Sequence, residues 1–539
     1  MAERKKQSFV EGAAVLTAST ILVKILGALF KLPLANIIGD AGMADFGTAY
    51  NVYSLLLNIS TAGLPVAMSR MISEADALGR QRQVQRTFHV ARAIFFTLGM
   101  LSTLFMFLLC RQLADFLNEP DATASIAALA PAVVFVCLTS SYRGYTQGHS
   151  NMVPTSVSQI IETACKLLFG LTLAAVFIKT GKGSSMGAAG GILGVTIGTV
   201  LALLYIVLYT LRFDRGFTPA PDPDIPDSRG RTLAKLVSIG VPITLGSCIL
   251  TLVALLDNKM IMGLLQSRAG FSYEMSRIYY GVYFNSQTLY NLPSAFAVPL
   301  VTSAIPVISA YVAQKLHHEA SRILAASLKL MNLLSLPMGI GMGVLASPLM
   351  HGLYPNSHES GAAILAILSV ASYFVCLTMV TNALLQAYGH EWLPMLSMAI
   401  GGVCKIIVNY VLLSDPNVGI LGAAVGNVVC YFVISACNLF RLKRKVAVCP
   451  KLLPLFFRPL IAALLMGGCA WGVSRICDIL LKTLGIFQSG RLASLIPAFA
   501  AAAVGFVLYV LLIAVLKAVS REELELVPKG DKIAKLFRL

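Results

Sequence analysis

The segment GILGVTIG at residues 191–198 recurs as GILGAAVG at residues 419–426, an offset of 228 residues. A second match, Cys137-Leu138-Thr139 with Cys376-Leu377-Thr378, has an offset of 239 residues. Two matches at nearly one offset predict an internal duplication of the chain. Glycines spaced four residues apart in an apolar segment are typical of helices that pack closely within a membrane. The further pairs at the offset of 239 are Gln147 with Gln386, Ser158 with Ser397, and Cys165-Lys166 with Cys404-Lys405.

The composition is too apolar for a water-soluble protein of 539 residues. Hydrophobic residues make up 57% and charged residues 12%, whereas soluble proteins carry about 25% charged residues. A bilayer core needs roughly 20 apolar residues per helix. The sequence therefore predicts an all-α polytopic membrane protein with about 14 transmembrane helices, arranged as two parallel six-helix repeats plus two extra C-terminal helices. The predicted spans are 9–34, 46–69, 87–110, 123–145, 154–178, 187–211, 235–262, 279–309, 326–349, 361–388, 393–413, 419–440, 455–475 and 492–516.

Lysine and arginine are concentrated in alternate loops between the predicted spans. The positive-inside rule then places both termini in the cytoplasm. This topology accounts for the net charge of +17, so the charge gives no reason to expect a nucleic-acid partner. The predicted domains are an N-terminal six-helix bundle (1–211), a cytoplasmic linker (212–234), a C-terminal six-helix bundle (235–440), the appended helices (441–516) and a basic cytoplasmic tail (517–539).

Basic residues inside the predicted spans indicate a cationic cavity. An ionisable group at the bilayer centre costs at least about 2.5–3.5 kcal/mol, so it is rare unless it faces water or a partner. Two bundles that rock against each other form a cavity open to one side at a time, and a basic cavity suits a phosphate or pyrophosphate. The candidate ligand-binding residues are Lys24, Lys31, Lys166, Lys259 and Lys405, with Arg70 and Arg143 at the cytoplasmic helix ends.

Simpler interpretations exist for several of these cations. Lys31 and Lys259 are placed so that they can extend toward the membrane surface. Glu162 precedes Lys166 by four residues, so the two can neutralise each other along one helix. The two arginines at helix ends also agree with the positive-inside rule alone.

The sequence lacks the motifs of several enzyme classes. It contains no phosphate-binding G-x-x-x-x-G-K-[ST] loop and no HExxH zinc motif. Its 11 cysteines form no CxxC pair and lie mostly in apolar segments, so we expect reduced thiols and identify no metal site. The predicted outer loops are short, whereas a polytopic glycosyltransferase is expected to have a large one. We therefore predict a transporter and not an enzyme.

Three short motifs stand near the N-terminus: Lys24-x-Leu26-Gly27, Gly39-x-x-Gly42-Met43-Ala44-Asp45-Phe46, and Gly63-Leu64-Pro65 followed by Arg70 and Ser73-Glu74. Together they resemble the start of the multidrug/oligosaccharidyl-lipid/polysaccharide (MOP) flippase superfamily. The similarity is greatest to its polysaccharide-biosynthesis branch, which includes stage V sporulation protein B and the MurJ-type lipid II flippases. The 6+6+2 layout extends this resemblance over nearly the whole chain.

The resemblance implies a function. A protein of this branch is expected to move an undecaprenyl-pyrophosphate-linked saccharide outward across the bacterial plasma membrane, here the peptidoglycan precursor lipid II in first place. Its partners would be the lipid-linked oligosaccharide and membrane lipid, with cell-wall synthesis machinery as a further candidate. The resemblance requires no cofactor, and sodium, protons and membrane potential remain open as driving forces. It leaves a vegetative and a sporulation-specific role equally open.

The resemblance also implies roles for individual residues. Lys24 occupies the position of a functionally important basic residue, and Lys31 is a candidate for a second one. Those flippases place an arginine within the core of helix 8. The predicted helix 8 of this chain contains no arginine, and Arg277 lies just outside it. The expected charge and coupling network comprises Asp45, Glu162, Asp257 and Asn409, and the ammonium of Lys405 is a candidate to replace a sodium ion.

We expect the cavity to open sideways to lipid, because a polyprenyl tail can stay in the bilayer while its headgroup crosses. Predicted helices 1 and 8 would line this gate and bend at Pro33, Pro293 and Pro299. By resemblance, predicted helices 13 and 14 would form a groove for the tail. Two alternatives remain, a cation-coupled exporter of drugs or metabolites from the same superfamily and, more remotely, a membrane-embedded glycosyltransferase.

Overall fold

The computed structural model describes residues 9–215, 225–446, 448, 450, 452–483 and 491–516. These residues are almost entirely α-helical, and none of them lies in a β-strand. The predicted basic tail at 517–539 and residues 216–224 of the predicted linker (212–234) lie outside the described residues. The chain divides into two compact units, residues 1–284 (unit 1) and 285–539 (unit 2), and the division falls inside helix α9.

Unit 1 contains the helices up to the first two thirds of α9, and a short 3-10 turn (Pro120–Ala122) precedes α5. Its helices are α1 (Phe9–Thr61), α2 (Leu64–Ala77), α3 (Gln81–Leu108), α4 (Cys110–Phe116), α5 (Thr123–Gly148), α6 (Val153–Lys179), α7 (Gly183–Arg215), α8 (Arg229–Ser267) and α9 (Tyr273–Tyr290).

Helix α1 reverses direction at Gly39. This residue has φ 72° and ψ 179°, a backbone conformation that residues with a Cβ atom rarely adopt. In a straight helix Phe30 and Phe46 would lie about 24 Å apart along the axis, yet their ring centroids are 6.0 Å apart. Residues before and after Gly39 therefore fold back on each other. We call them the first and second arms of α1, and they correspond to predicted spans 1 and 2.

Close helix packing in unit 1 depends on glycine. A Cβ on Gly194 of α7 would lie 2.2 Å from the backbone nitrogen of Gly170 in α6, and one on Gly198 would lie 2.5 Å from the Glu162 carbonyl oxygen. These contacts confirm the packing role that the four-residue glycine spacing predicts. A Cβ on Gly281 of α9 would meet the Asp40 carbonyl oxygen in the same way, so α9 also lies directly against α1.

The described part of unit 2 contains the rest of α9 and eight further helices. The predicted helix 8 (279–309) is divided here, because the chain leaves the helical conformation at residues 291–293 between α9 and α10. The helices are α10 (Ser294–Ala313), α11 (His317–Val344), α12 (Ala346–Leu353), α13 (Ser360–Ala387), α14 (Trp392–Leu413), α15 (Leu421–Lys445), α16 (Leu452–Thr483) and α17 (Arg491–Val515).

The two C-terminal helices of unit 2 are tied to α11. The Tyr509 hydroxyl of α17 donates to the Leu333 carbonyl at 2.9 Å, and the Asn332 side chain donates to the Leu455 carbonyl of α16 at 3.0 Å. Leu336 of α11 is buried against Met466 of α16. Helices α16 and α17 are therefore packed parts of unit 2.

Twelve helical segments among the described residues are long and apolar enough to cross a membrane. One of them, Ala18–Ala77, contains predicted span 2 and the part of predicted span 1 from residue 18 onward. Predicted span 8 lies on α9 and α10, which are not among the twelve. Each of the remaining predicted spans overlaps one of the twelve. The predicted fold class, an all-α polytopic membrane protein, is confirmed, and the extent of the two six-helix repeats stays a prediction.

We predict that Gly194→Ala lowers the stability of the protein by about 1–3 kcal/mol, the usual cost of overpacking. The added methyl group would overlap backbone atoms of Gly170, which cannot turn away as a side chain can. The measurement is thermal unfolding of the purified protein in detergent. Gly472→Ala in α16 is the matched control, because a Cβ there meets no atom within 4 Å. Equal melting temperatures for the two variants would contradict this account.

Candidate functional site

Two lysines of unit 1 converge on one tyrosine ring. The ammonium nitrogen of Lys31 lies 6.0 Å from the Tyr50 ring centroid and 4.7 Å from that of Phe284. The ammonium nitrogen of Lys166 lies 5.3 Å from the Tyr50 centroid and 4.8 Å from that of Phe30. We call these five residues the lysine cluster. It joins both arms of α1 with α6 and α9.

The reversal at Gly39 builds this cluster. Phe30 and Lys31 lie on the first arm of α1, while Phe46 and Tyr50 lie one helical turn apart on the second arm and stack at 5.6 Å. Phe46 also contacts Phe284 of α9, with ring centroids 6.3 Å apart. The aromatic rings thus position two half-buried ammonium groups that come from different helices.

Neither lysine of the cluster has a carboxylate partner among the described residues. The helical pair of Glu162 with Lys166, which the four-residue spacing allows, does not form. Glu162 instead accepts a hydrogen bond from Arg143 at 2.9 Å, and Arg143 also donates to Ser158 at 2.9 Å. Cation–π contacts contribute about 0.5–2 kcal/mol each, so they offset only part of the cost of two neighbouring positive charges. The cluster is suited to bind an anion.

The other predicted cations of unit 1 have different surroundings. Lys24 is half-buried and lies two helical turns before Lys31 on the first arm of α1. Lys259 lies over the Phe116 ring at 3.4 Å. Arg70 is exposed and forms an ion pair of 3.0 Å with Glu74. The structure therefore places Arg70 and Lys259 outside the lysine cluster.

The predicted coupling residues of helix α8 and unit 2 are buried. Asp257 of α8 accepts a hydrogen bond from the Tyr283 hydroxyl at 3.0 Å. In unit 2, the Lys405 ammonium donates to the Asn427 side-chain oxygen at 2.8 Å. Asn409 is buried one turn after Lys405 on α14. An amide oxygen is therefore among the partners of the buried Lys405 ammonium.

Of the three prolines proposed for gate bending, two lie within helices and one lies between two helices. Pro33 is exposed on the first arm of α1, and the non-helical residue of that helix is Gly39, six residues later. Pro293 ends the short segment between α9 and α10, and Pro299 lies within α10.

A buried ion pair joins α1 to α9. Arg277 donates to the Asp45 carboxylate at 2.7 Å and to the Ser185 hydroxyl at 3.1 Å, and it forms a second ion pair of 2.8 Å with Asp121. Asp45 is fully buried. Sequence reasoning placed Arg277 beyond the predicted helix, whereas α9 begins at Tyr273 and includes it. We call Asp45, Glu119, Asp121 and Arg277 the acid cluster.

Glu119 is the member of the acid cluster that sequence reasoning missed. It lies between α4 and the 3-10 turn, where an acid beside a proline is typical of an exposed loop, but it is fully buried. The Thr48 hydroxyl donates to its Oε2 atom, and the Asn258 amide donates to Thr48 at 2.8 Å. Burial raises the pKa of the Glu119 carboxyl to about 8, and the nearby Asp45 carboxylate adds to the rise.

Metal binding has no support among the described residues, since no group of three histidine, cysteine, aspartate or glutamate side chains is arranged to hold a metal ion. The ten cysteines of the described part are all free thiols, in agreement with the reduced state that the sequence predicts.

We predict that Arg277→Gln lowers the free energy of unfolding by about 3–5 kcal/mol, because it leaves the buried Asp45 carboxylate without its cation. Adding Asp45→Asn should restore part of the loss, since the unpaired charge is then removed. Chemical unfolding in detergent measures both variants. Arg111→Gln, an exposed arginine on α4, serves as the control. An Arg277→Gln variant as stable as this control would show that the ion pair does not hold α9 to α1.

Comparison with known proteins agrees with this architecture. Residues 9–312, more than half of the chain, match the family model described as polysaccharide biosynthesis protein. Three relatives from Bacillus subtilis (strain 168) match nearly end to end. The uncharacterized membrane protein YabM is 26% identical (99% of this chain, 97% of the relative), stage V sporulation protein B is 25% identical (97% and 98%), and the lipid II flippase MurJ is 24% identical (93% and 94%).

Solved structures share the fold. The lipid II flippase MurJ in an inward closed conformation has a TM-score of 0.66 at 14% identity, over 93% of this chain and 98% of that one. An inward-facing multidrug resistance MATE family transporter has a TM-score of 0.65 at 15% identity, over 81% of this chain and 100% of that one. The chain belongs to the polysaccharide biosynthesis protein family, within the MOP flippase superfamily.

Proposed function

We propose that this protein is a flippase that moves an undecaprenyl-pyrophosphate-linked saccharide from the inner to the outer leaflet of the bacterial plasma membrane, with lipid II as the first candidate. The lysine cluster is the observation that carries the proposal. Lys31 and Lys166 bring two positive charges to one ring without a carboxylate partner among the described residues. The similarity to the B. subtilis lipid II flippase MurJ supports the same substrate class.

A pyrophosphate matches the chemistry of this cluster. Lysine binds phosphate as a point charge with three N–H donors. An anion between two ammonium groups offsets the repulsion between them. Contacts to charged groups strengthen where water is excluded. The half-buried lysines would therefore bind a lipid-linked pyrophosphate more tightly than a neutral polyprenol. Lys24, two turns along the same arm, would guide the headgroup toward them.

Alternating access would convert this binding into transport. In the proposed cycle the lysine cluster holds the pyrophosphate while the cavity is open to the cytoplasm, and a rocking motion of the six-helix repeats weakens the contacts on the other side. A ligand shifts such an equilibrium only through its different affinity for the two states. The proposed topology places both chain termini in the cytoplasm, as the distribution of lysine and arginine predicts.

A cation-coupled exporter is the second candidate, and the fold likeness to a multidrug resistance MATE family transporter favours it. Exporters of cationic drugs need carboxylates that face the substrate. In the part of unit 1 that the structure describes, Asp45 and Glu162 are paired with arginines, and Asp257 accepts a hydrogen bond from Tyr283. Ethidium efflux that depends on Asp257 would favour this candidate over the first.

We predict that Lys31→Gln and Lys166→Gln each reduce lipid II translocation in proteoliposomes at least about tenfold, the equivalent of 1.4 kcal/mol. Each variant loses one of the two charges that would bind the pyrophosphate. The assay measures the accessibility of labelled lipid II at the outer leaflet after equal amounts of folded protein are reconstituted.

Lys182→Gln is the matched control for this experiment. Lys182 also lies over an aromatic ring, that of Phe177 at 4.8 Å, but it is exposed and outside the lysine cluster. The control should transport at the wild-type rate. Unchanged transport by both Lys31→Gln and Lys166→Gln would remove the basis of the proposed function.

A further inference from the structure

The acid cluster contains more negative than positive groups. Three carboxyl groups, those of Asp45, Glu119 and Asp121, surround the single guanidinium of Arg277. Asp45 and Glu119 are fully buried, whereas the Asp121 side chain is 46% exposed. If all four groups were ionised, the two buried carboxylates and the Asp121 carboxylate would share the single positive charge of Arg277. Burying an ionised group without compensation is costly, and the usual outcome is that the group becomes neutral.

The contacts identify which carboxyl group lacks compensation. Arg277 uses one terminal nitrogen for Asp45 and the other for Asp121. Among the described residues, Glu119 accepts one hydrogen bond, from the Thr48 hydroxyl, and its buried Oε1 atom has no hydrogen-bond donor. Glu119 is therefore the member of the cluster with the weakest stabilisation of its charged form.

We propose that Glu119 is a proton-binding site: its carboxyl carries a proton while α1, α8 and residues 117–122 are packed together, and loses the proton when they separate. In the packed state the neutral acid avoids repulsion by Asp45 and the cost of an uncompensated buried charge. In an opened state water would reach the carboxylate and stabilise it. Proton binding thus favours the packed state.

Other groups near Glu119 do not alter this balance. Helix α9 adds the phenols of Tyr273 and Tyr280, and the Asn51 side-chain amide of α1 donates to the Tyr280 hydroxyl oxygen at 2.9 Å. Helix α8 adds the neutral Asn258, while the charged residues on either side of it, Asp257 and Lys259, contact Tyr283 and Phe116. Ser185 of α7 is neutral, and the charged residues of α4, Arg111 and Asp115, are exposed.

A proton fits these contacts better than a metal ion. Asn258, Asp45 and Glu119 each have one side-chain oxygen that is buried without a donor, but the acidic groups of the described residues do not meet the spacing of a metal site. All of these contacts lie in unit 1. Protonation of Glu119 therefore requires neither the lysine cluster nor a particular transported substrate.

The first test compares the thermal midpoints of the wild type, Glu119→Gln and Glu274→Gln between pH 5 and 9.5, in detergent and potassium chloride. The folded protein binds the Glu119 proton more tightly than the unfolded chain does, so stability falls as the pH rises from about 4.5 to about 8 and then levels off. In Glu119→Gln, this pH-dependent decrease in stability should be absent. Glu274→Gln should retain it, because Glu274 is an exposed acid on the neighbouring α9.

A second variant and a spectroscopic measurement test the proposal even if Glu119→Gln does not fold. Thr48→Ala removes the hydroxyl that donates to Glu119 and should move the transition to higher pH. Infrared difference spectra of wild type against Glu119→Gln should show the carbonyl band of a protonated carboxyl at pH 7, and this band should vanish at pH 9.5. An absent band at pH 7, or the same pH dependence in Glu119→Gln and wild type, would overturn the proposal. Stabilisation by sodium chloride but not potassium chloride, independent of pH, would overturn it in favour of a metal ion.

Discussion

The reversal of α1 at Gly39 is the constraint on which both clusters of unit 1 depend. A membrane helix must satisfy its own backbone hydrogen bonds, so a sharp change of direction requires a residue that tolerates an unusual conformation, and glycine does so at φ 72°. The reversal places the first arm, with Lys31, against the second arm, with Tyr50. It also places Asp45 and Thr48 a few residues after the bend, where they contact Arg277 and Glu119.

The two clusters differ in how their positive charges are compensated. In the acid cluster a buried guanidinium is shared by two carboxylates, and a third carboxyl group is left over. In the lysine cluster two ammonium groups are surrounded by aromatic rings. A buried ion pair between helices is costly to break, whereas a charge that has no opposite charge nearby is available for a ligand. This difference separates residues that hold unit 1 together from residues that are candidates to bind an anion.

Much of the fold could be predicted from the sequence, because long apolar segments and glycine spacing report directly on membrane helices. Lys31 and Lys166 could be identified as candidates for the same reason, since a lysine within an apolar span is unusual. Contacts between distant segments could not be predicted. Local spacing suggested that Glu162 pairs with Lys166, but Arg143, from another helix, is its partner. Glu119 resembles a loop acid in the sequence, because its hydrogen-bond donor Thr48 lies 71 residues earlier in the chain. Arg277 was placed outside its helix because the start of α9 is polar and carries no apolar pattern.

The most direct test of the central claim measures which ligand the lysine cluster recognises. Native mass spectrometry of the purified protein would compare binding of undecaprenyl pyrophosphate with that of undecaprenol, which has the same tail and no charge. The account predicts preferential binding of the pyrophosphate by the wild type and the loss of that preference in the double variant Lys31→Gln/Lys166→Gln. Equal binding of the two lipids by the wild type, or an undiminished preference in the double variant, would contradict it.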